Sequence, residues 1–131
     1  MLDKEFIYAG KATFTFANPD GVRYTYKVSY SKKIDRYFAY LLTGPNNRTD
    51  YTYMGMVVGK TPSFVLTRKS KLTEESFSIK VFHYALAIIN GYKKLEDGYF
   101  LEHDGTCGRC SRKLTTPESI KSGLGPICRN K

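Results

Sequence analysis

Residues 22–30, Val-Arg-Tyr-Thr-Tyr-Lys-Val-Ser-Tyr, alternate without a break between apolar or aromatic and polar side chains. Successive side chains of a β-strand point to opposite faces. Val22, Tyr24, Tyr26, Val28 and Tyr30 therefore share one face, and Arg23, Thr25, Lys27 and Ser29 share the other. Residues 11–17 (KATFTFA) repeat the pattern, with Phe14 and Phe16 opposite Thr13 and Thr15. Between the two runs stands Asn18-Pro19-Asp20-Gly21, in which proline presets one φ and glycine permits a positive one. The stretch predicts a hairpin with one buried and one solvated face. Residues 36–44 and 51–59 predict a second pair of strands, and residues 63–67 a fifth strand after Pro62. Residues 5–67 are thus expected to hold strands and turns, in an antiparallel β-meander or small barrel.

A different period follows. Phe77, Val81, Ala85, Ile88 and Ile89 recur at helical spacing, and Ile79, Phe82 and Leu86 widen the apolar stripe to most of the circumference. Such a helix has to be buried against a sheet. Thr73 is expected to cap it, Glu74 and Glu75 suit its positive end, and Asn90-Gly91 stops it. The fold class is α+β: a β-meander or small barrel packed on one main helix. The expected division is a β-rich domain over residues 1–95, with its core helix at about 74–90, and a zinc-binding C-terminal element over residues 96–131. His83 lies inside the helix and is expected to be a packed or rim histidine.

All three cysteines fall in the last 25 residues, at Cys107, Cys110 and Cys128. With His103 they give His-x3-Cys-x2-Cys-x17-Cys. A Cys-x2-Cys turn lets both sulfurs reach one ion, and a tetrahedral zinc needs four such soft or borderline donors. The intervening TTPESIKSG is expected to form a short helix, and GLGP to turn Cys128 back to the knuckle. His103 fits best as fourth ligand, with Asp104 or His83 as replacements. Four protein ligands leave no open position, so one structural zinc is expected, lending folding energy to a tail too short to hold itself by burial. A redox pair at Cys107 and Cys110 would call for a thioredoxin-like βαβ context, which the sequence lacks.

The segment HDGTCGRCSRKLTTPESIKSGLGPIC resembles a small zinc-binding element of an uncharacterised family of phage and bacterial proteins. Its pattern is His, Cys-x2-Cys, Arg, Leu-Thr, Pro-Glu-Ser-Ile, Gly-x-Gly-Pro and a last Cys. The resemblance implies that His103, Cys107, Cys110 and Cys128 are ligands, and that Arg112 and Ser119 belong to the motif. It also implies a phage or mobile-element origin, and it carries no established activity.

The chain of 131 residues has 21 Lys and Arg against 12 Asp and Glu, with 11 Tyr and 8 Phe. A basic, tyrosine-rich surface favours nucleic acid as a partner. Candidate contacts are Arg109, Arg112, Lys113 and Lys121 around the knuckle, and Lys32, Lys33, Arg68 and Lys69 on the β-rich part. The plainer role of such residues is to solvate outer strand faces and keep edges from pairing. The competing expectation is a protein-interaction module, such as a phage factor that binds and inhibits or redirects a host protein, including a defence protein. No catalytic motif occurs, so no enzyme and no small-molecule substrate is expected. The charged N-terminus and the short apolar runs predict neither a secretory signal nor a membrane span, and a cytoplasmic protein. Metal analysis of protein purified without chelator is expected to give about one zinc per chain, set by one four-ligand site; a value near zero would refute the knuckle reading.

Overall fold

The alternating residues pair as a hairpin in the computed structural model, which describes residues 2–46, 48–110, 113–114 and 123–124. Strand β1 (Lys11–Ala17) and strand β2 (Arg23–Ser31) are antiparallel, with Phe14 opposite Tyr26 and Thr15 opposite Thr25. The Asn18 side-chain oxygen closes the turn by accepting the N–H groups of Asp20 and Val22, each at 3.0 Å. Gly21 supplies a φ of +90°. Strands β3 (Arg36–Leu42), β4 (Tyr51–Val58) and β5 (Ser63–Val65) continue the meander. They end earlier than the sequence pattern suggests, and β4 carries a register shift opposite Ala39 and Tyr40.

Two elements were not expected. Residues Lys4–Ile7 form a single helical turn, α1, where strand was anticipated. Asp3 caps it by accepting the Phe6 N–H at 3.2 Å. Residues Phe100–His103 form strand β6, which pairs with β1. Four residues are too few to show a period, and the pairing spans more than eighty positions of sequence. The sheet order is β5-β4-β3-β2-β1-β6, and all its pairs are antiparallel. It curls as a half-barrel, and β6 at its edge leads directly into the cysteine segment.

Helix α2 (Phe77–Ile89) carries the chain from the β5 edge to the β6 edge. It starts three residues later than expected, with Ser76 rather than Thr73 at the N-cap. The Ser76 hydroxyl instead accepts the Thr73 N–H at 3.2 Å, and the Ser76 N–H donates to the Thr73 carbonyl at 2.9 Å. These local bonds make residues 73–76 a turn. Val81, Ile79, Phe82, Ala85, Leu86, Ile88 and Ile89 are all buried, as the wide stripe requires, whereas Phe77 in the first turn is 54% exposed. Phe82 is the centre of the interface: its ring lies 4.8 Å from Tyr26, 5.2 Å from Phe64 and 6.2 Å from Phe14. The Tyr26 hydroxyl, fully buried, donates to the Ser78 carbonyl at 2.7 Å.

Among the described residues no helix is long and apolar enough to cross a membrane. Phe82→Ala is expected to destabilise the protein by about 3–5 kcal/mol in denaturant unfolding, the cost of an aromatic deleted from a packed core. Tyr26→Phe is expected to cost about 1 kcal/mol, because it leaves the Ser78 carbonyl without its buried donor.

Candidate nucleic-acid interface and cysteine tail

Because α2 packs on the Phe14/Tyr26 face, the opposite face of the sheet carries no helix among the described residues. Strand register decides what that face presents. Thr15, Thr25, Leu42 and Tyr51 form one cross-strand row. Thr13, Lys27, Tyr40 and Tyr53 form the next, and Ser29, Phe38 and Met56 the one after. The bulge in β4 brings Tyr51 and Tyr53 onto this side, beside Tyr40 and Phe38. Their rings meet edge to face, 5.7 Å between Tyr40 and Tyr53 and 5.8 Å between Phe38 and Tyr53. The Lys27 ammonium sits 4.3 Å from the Tyr51 ring centre and 5.3 Å from that of Tyr40. Burial among them lowers the Lys27 pKa and raises those of Tyr40 and Tyr51.

Arg68 and Lys69 belong to this face. The Ser70 N–H donates to the Thr67 carbonyl at 3.1 Å, so the two cations occupy the central positions of a turn. The turn is pinned to β4 by the Tyr53 and Thr67 hydroxyls, 3.0 Å apart, and by the Lys71 N–H on the Tyr53 carbonyl at 3.1 Å. Together with Arg36 they line a groove of about 590 Å³ whose floor is Phe38, Tyr40, Tyr53 and Met56. Lys32 and Lys33 are exposed in the β2–β3 turn; from that end it is Ile34 and Arg36 that reach the groove.

A second cavity, of about 400 Å³, opens on the same face and is lined from β1, β2, β3, β4 and β6, including Tyr51 on β4 and Phe100 on β6. Those two strands are four spacings apart, about 19 Å in a flat sheet. That side chains of both line one small cavity shows that the face is concave here. The Asp104 carboxylate adds to burial in holding the Tyr51 hydroxyl above its ordinary pKa, consistent with that approach.

The cysteine segment lies beyond β6. Residues Thr106 and Lys113 form a bridge, and the Leu114 N–H donates to the Gly105 carbonyl at 2.9 Å, so Cys107 and Cys110 stand on a short hairpin. Cys107 is buried with Ala9, Leu114 and Leu124, and Cys110 is exposed. The Arg109 N–H donates to the Cys107 sulfur at 3.4 Å. The Gly108 N–H donates to the Gly123 carbonyl at 2.8 Å, and the Lys11 N–H to the Gly108 carbonyl at 2.6 Å. The chain after the knuckle thus returns to it five residues before Cys128. Phe6 forms the joint. A Cβ on Gly108 or Gly123 would strike its ring, and His103 lies 6.0 Å from it.

Cys128, Arg112, Ser119 and Lys121, and the helix expected over residues 115–122, lie outside the described residues. Among the described residues no group of three or more His, Cys, Asp and Glu side chains stands together as a metal site. The donor chemistry of the knuckle nonetheless suits zinc: two cysteines on a hairpin, one receiving a backbone N–H. For His103 there is a condition. Its Nδ1 accepts the Gly105 N–H at 2.9 Å, so ligation through either nitrogen would have to exchange that bond. His83, the alternative ligand, lies at the other edge of the sheet, its Nε2 3.3 Å from Glu74 and its ring 5.4 Å from Phe64. Asp104 uses one carboxylate oxygen for the Thr106 N–H and hydroxyl, at 3.0 and 2.6 Å. Lys113 is exposed, whereas the Arg109 Nε is buried without a hydrogen-bond partner among the described residues, and its charge is felt at Tyr37.

Residues 100–131 match a family of unknown function (DUF6011). The DUF6011 match begins at the first residue of β6 and takes in all four residues of the His-x3-Cys-x2-Cys…Cys pattern. The resemblance to an uncharacterised family therefore holds over the segment that carries it. No curated protein and no solved structure matches the chain.

The aromatic floor was not recognised as a site from sequence. Phe38, Tyr40 and Tyr53 read as ordinary strand residues, and only the bulge and the curl gather them. Gly123→Ala is expected to loosen the tail, because the new Cβ meets Phe6 and because Gly123 has a φ of +77°. Limited proteolysis should then cut after residue 104 sooner than in the wild type, with the sheet core left intact.

Proposed function

We propose that the protein binds single-stranded nucleic acid on the face of its sheet opposite α2, with the cysteine tail as a zinc-held clasp at one edge. The observation that carries the reading is the groove in which Arg36, Arg68 and Lys69 stand over Phe38, Tyr40 and Tyr53. Aromatic rings offer stacking to unpaired bases of any sequence, and cations along the same groove contact the backbone. A duplex, whose bases are already stacked, cannot use such a floor. The net charge of +9 supports the same partner, since electrostatics supplies most sequence-independent affinity. The resemblance of the tail supports a setting in phage or mobile-element DNA or RNA metabolism for this activity.

In this reading zinc would be held by Cys107, Cys110 and Cys128, with His103 as fourth ligand, and would supply folding energy to the tail. The knuckle cations take second place. Arg109 is half-buried and turned toward Tyr37, so the groove cations are the better phosphate contacts.

Binding of an unstructured oligonucleotide should show a log-linear fall with salt. Arg68→Ala with Lys69→Ala should flatten that slope by roughly 1–2 units. Phe38→Ala or Tyr53→Ala should weaken binding by about 1–3 kcal/mol with the slope unchanged, because stacking is lost and charge is kept. None of these changes should alter zinc content. Absence of binding to any single strand at low salt would refute the proposal and favour a protein partner.

A further inference from the structure

The smaller cavity on the concave face differs in character from the groove. Its floor holds the Thr15 and Thr25 hydroxyls, 2.7 Å apart, which satisfy one proton between them and leave further donor and acceptor capacity facing the cavity. Tyr51 and Phe100 supply aromatic walls. Phe100 is 44% exposed on an edge strand, an apolar surface that the core does not use. At the two ends stand opposite charges. Arg23 enters from the Ala17 end of β1, where Phe100 also pairs. Asp104 enters from the Thr13 end, its N–H bonded to the Thr13 carbonyl at 3.1 Å. The two ends are four residues of strand apart, about 13 Å between backbones. The cavity, at about 400 Å³, lies within the range of small-ligand sites, roughly 300–1,000 Å³.

We infer that this cavity is a guanine pocket, which gives the nucleic-acid-binding face a preference for one base; the inference rests on the reading of that face above. Guanine presents O6 and N7 as paired acceptors, the usual target of an arginine fork, and N–H donors on its other edge. Arg23 takes the O6/N7 edge. Asp104, whose second carboxylate oxygen is not used by Thr106, accepts from N1–H and N2–H. Tyr51 and Phe100 flank the ring. Adenine would place its amino group where Arg23 needs an acceptor. Cytosine has the same signs but a shorter reach between two charges entering from opposite ends. The pocket adjoins the Lys27/Tyr40/Tyr51 cluster through Tyr51, so a strand lying in the groove can place one base in it.

The test is fluorescence anisotropy with oligo-dT carrying a single central dG, dA or dC, and the RNA equivalents, with GMP as competitor. A single guanine should tighten binding roughly tenfold over oligo-dT, about what one good bidentate pair is worth. Asp104→Asn keeps the acceptor that Thr106 uses, and should erase the guanine gain while leaving affinity for oligo-dT unchanged. Arg23→Gln should erase it too, with at most one unit lost from the salt slope. Displacement of the strand by GMP would support the pocket with a free nucleotide as its ligand. A guanine preference that GMP does not compete would support it with a strand-borne base. Equal affinity for all four bases, a preference for cytosine or adenine, or a guanine gain surviving Asp104→Asn would overturn the inference while oligo-dT binding kept the general reading. Failure to bind any strand would overturn both.

Discussion

One helix covers one face of a six-stranded sheet, and the rest of the molecule follows from how it is anchored. Phe82 packs among Phe14, Tyr26 and Phe64, and the buried Tyr26 hydroxyl is satisfied by the Ser78 carbonyl. A buried hydroxyl without a partner would be costly, so this bond orients the helix as well as stabilising it. With α2 committed to that side, the other face, among the described residues, presents whatever the alternate residues provide. They provide threonines, cations and tyrosines rather than a plain polar surface. The aromatic rings there pack against one another and against Lys27. This combination is what the proposed binding role rests on.

The cysteine tail depends on the same sheet but not on the same core. Among the described residues its own apolar cluster is Ala9, Cys107, Leu114 and Leu124. In the proposed reading a bound zinc adds folding energy to this short segment. The joint to the main core is a steric fit. Phe6 lies fully buried against glycine backbone at positions 108 and 123. The one-turn helix α1 is what places Phe6 there. The DUF6011 match starting at β6 shows that the edge strand and the knuckle form one continuous sequence unit, although the strand hydrogen-bonds into the larger sheet.

Much of the fold was legible because its signals are local. The first hairpin is written in a two-residue period and an Asn-Pro-Asp-Gly turn, and each acts over a few residues. The stripe of α2 announced a buried helix for the same reason. Its start was misplaced because Thr73 and Ser76 are both competent caps, and only the turn they form together chooses between them. Strand β6 and helix α1 were missed because four residues cannot display a period. For the site, Arg68 and Lys69 were visible as a basic run, yet a basic run in sequence carries no direction. That they close a turn over Phe38, Tyr40 and Tyr53 depends on the Tyr53–Thr67 hydroxyl contact.

By itself the sequence determined which residues share a strand face, that a largely apolar helix had to be buried, and that the thiols stand at knuckle spacing. Those are properties of neighbours along the chain, where covalent geometry sets the period. Only the tertiary structure decided that β6 joins β1, that a bulge turns Tyr51 and Tyr53 toward Tyr40, and that Arg23 and Asp104 enter one cavity from opposite ends. Each of these unites residues far apart in the chain, through backbone pairing and sheet curvature that no local pattern encodes.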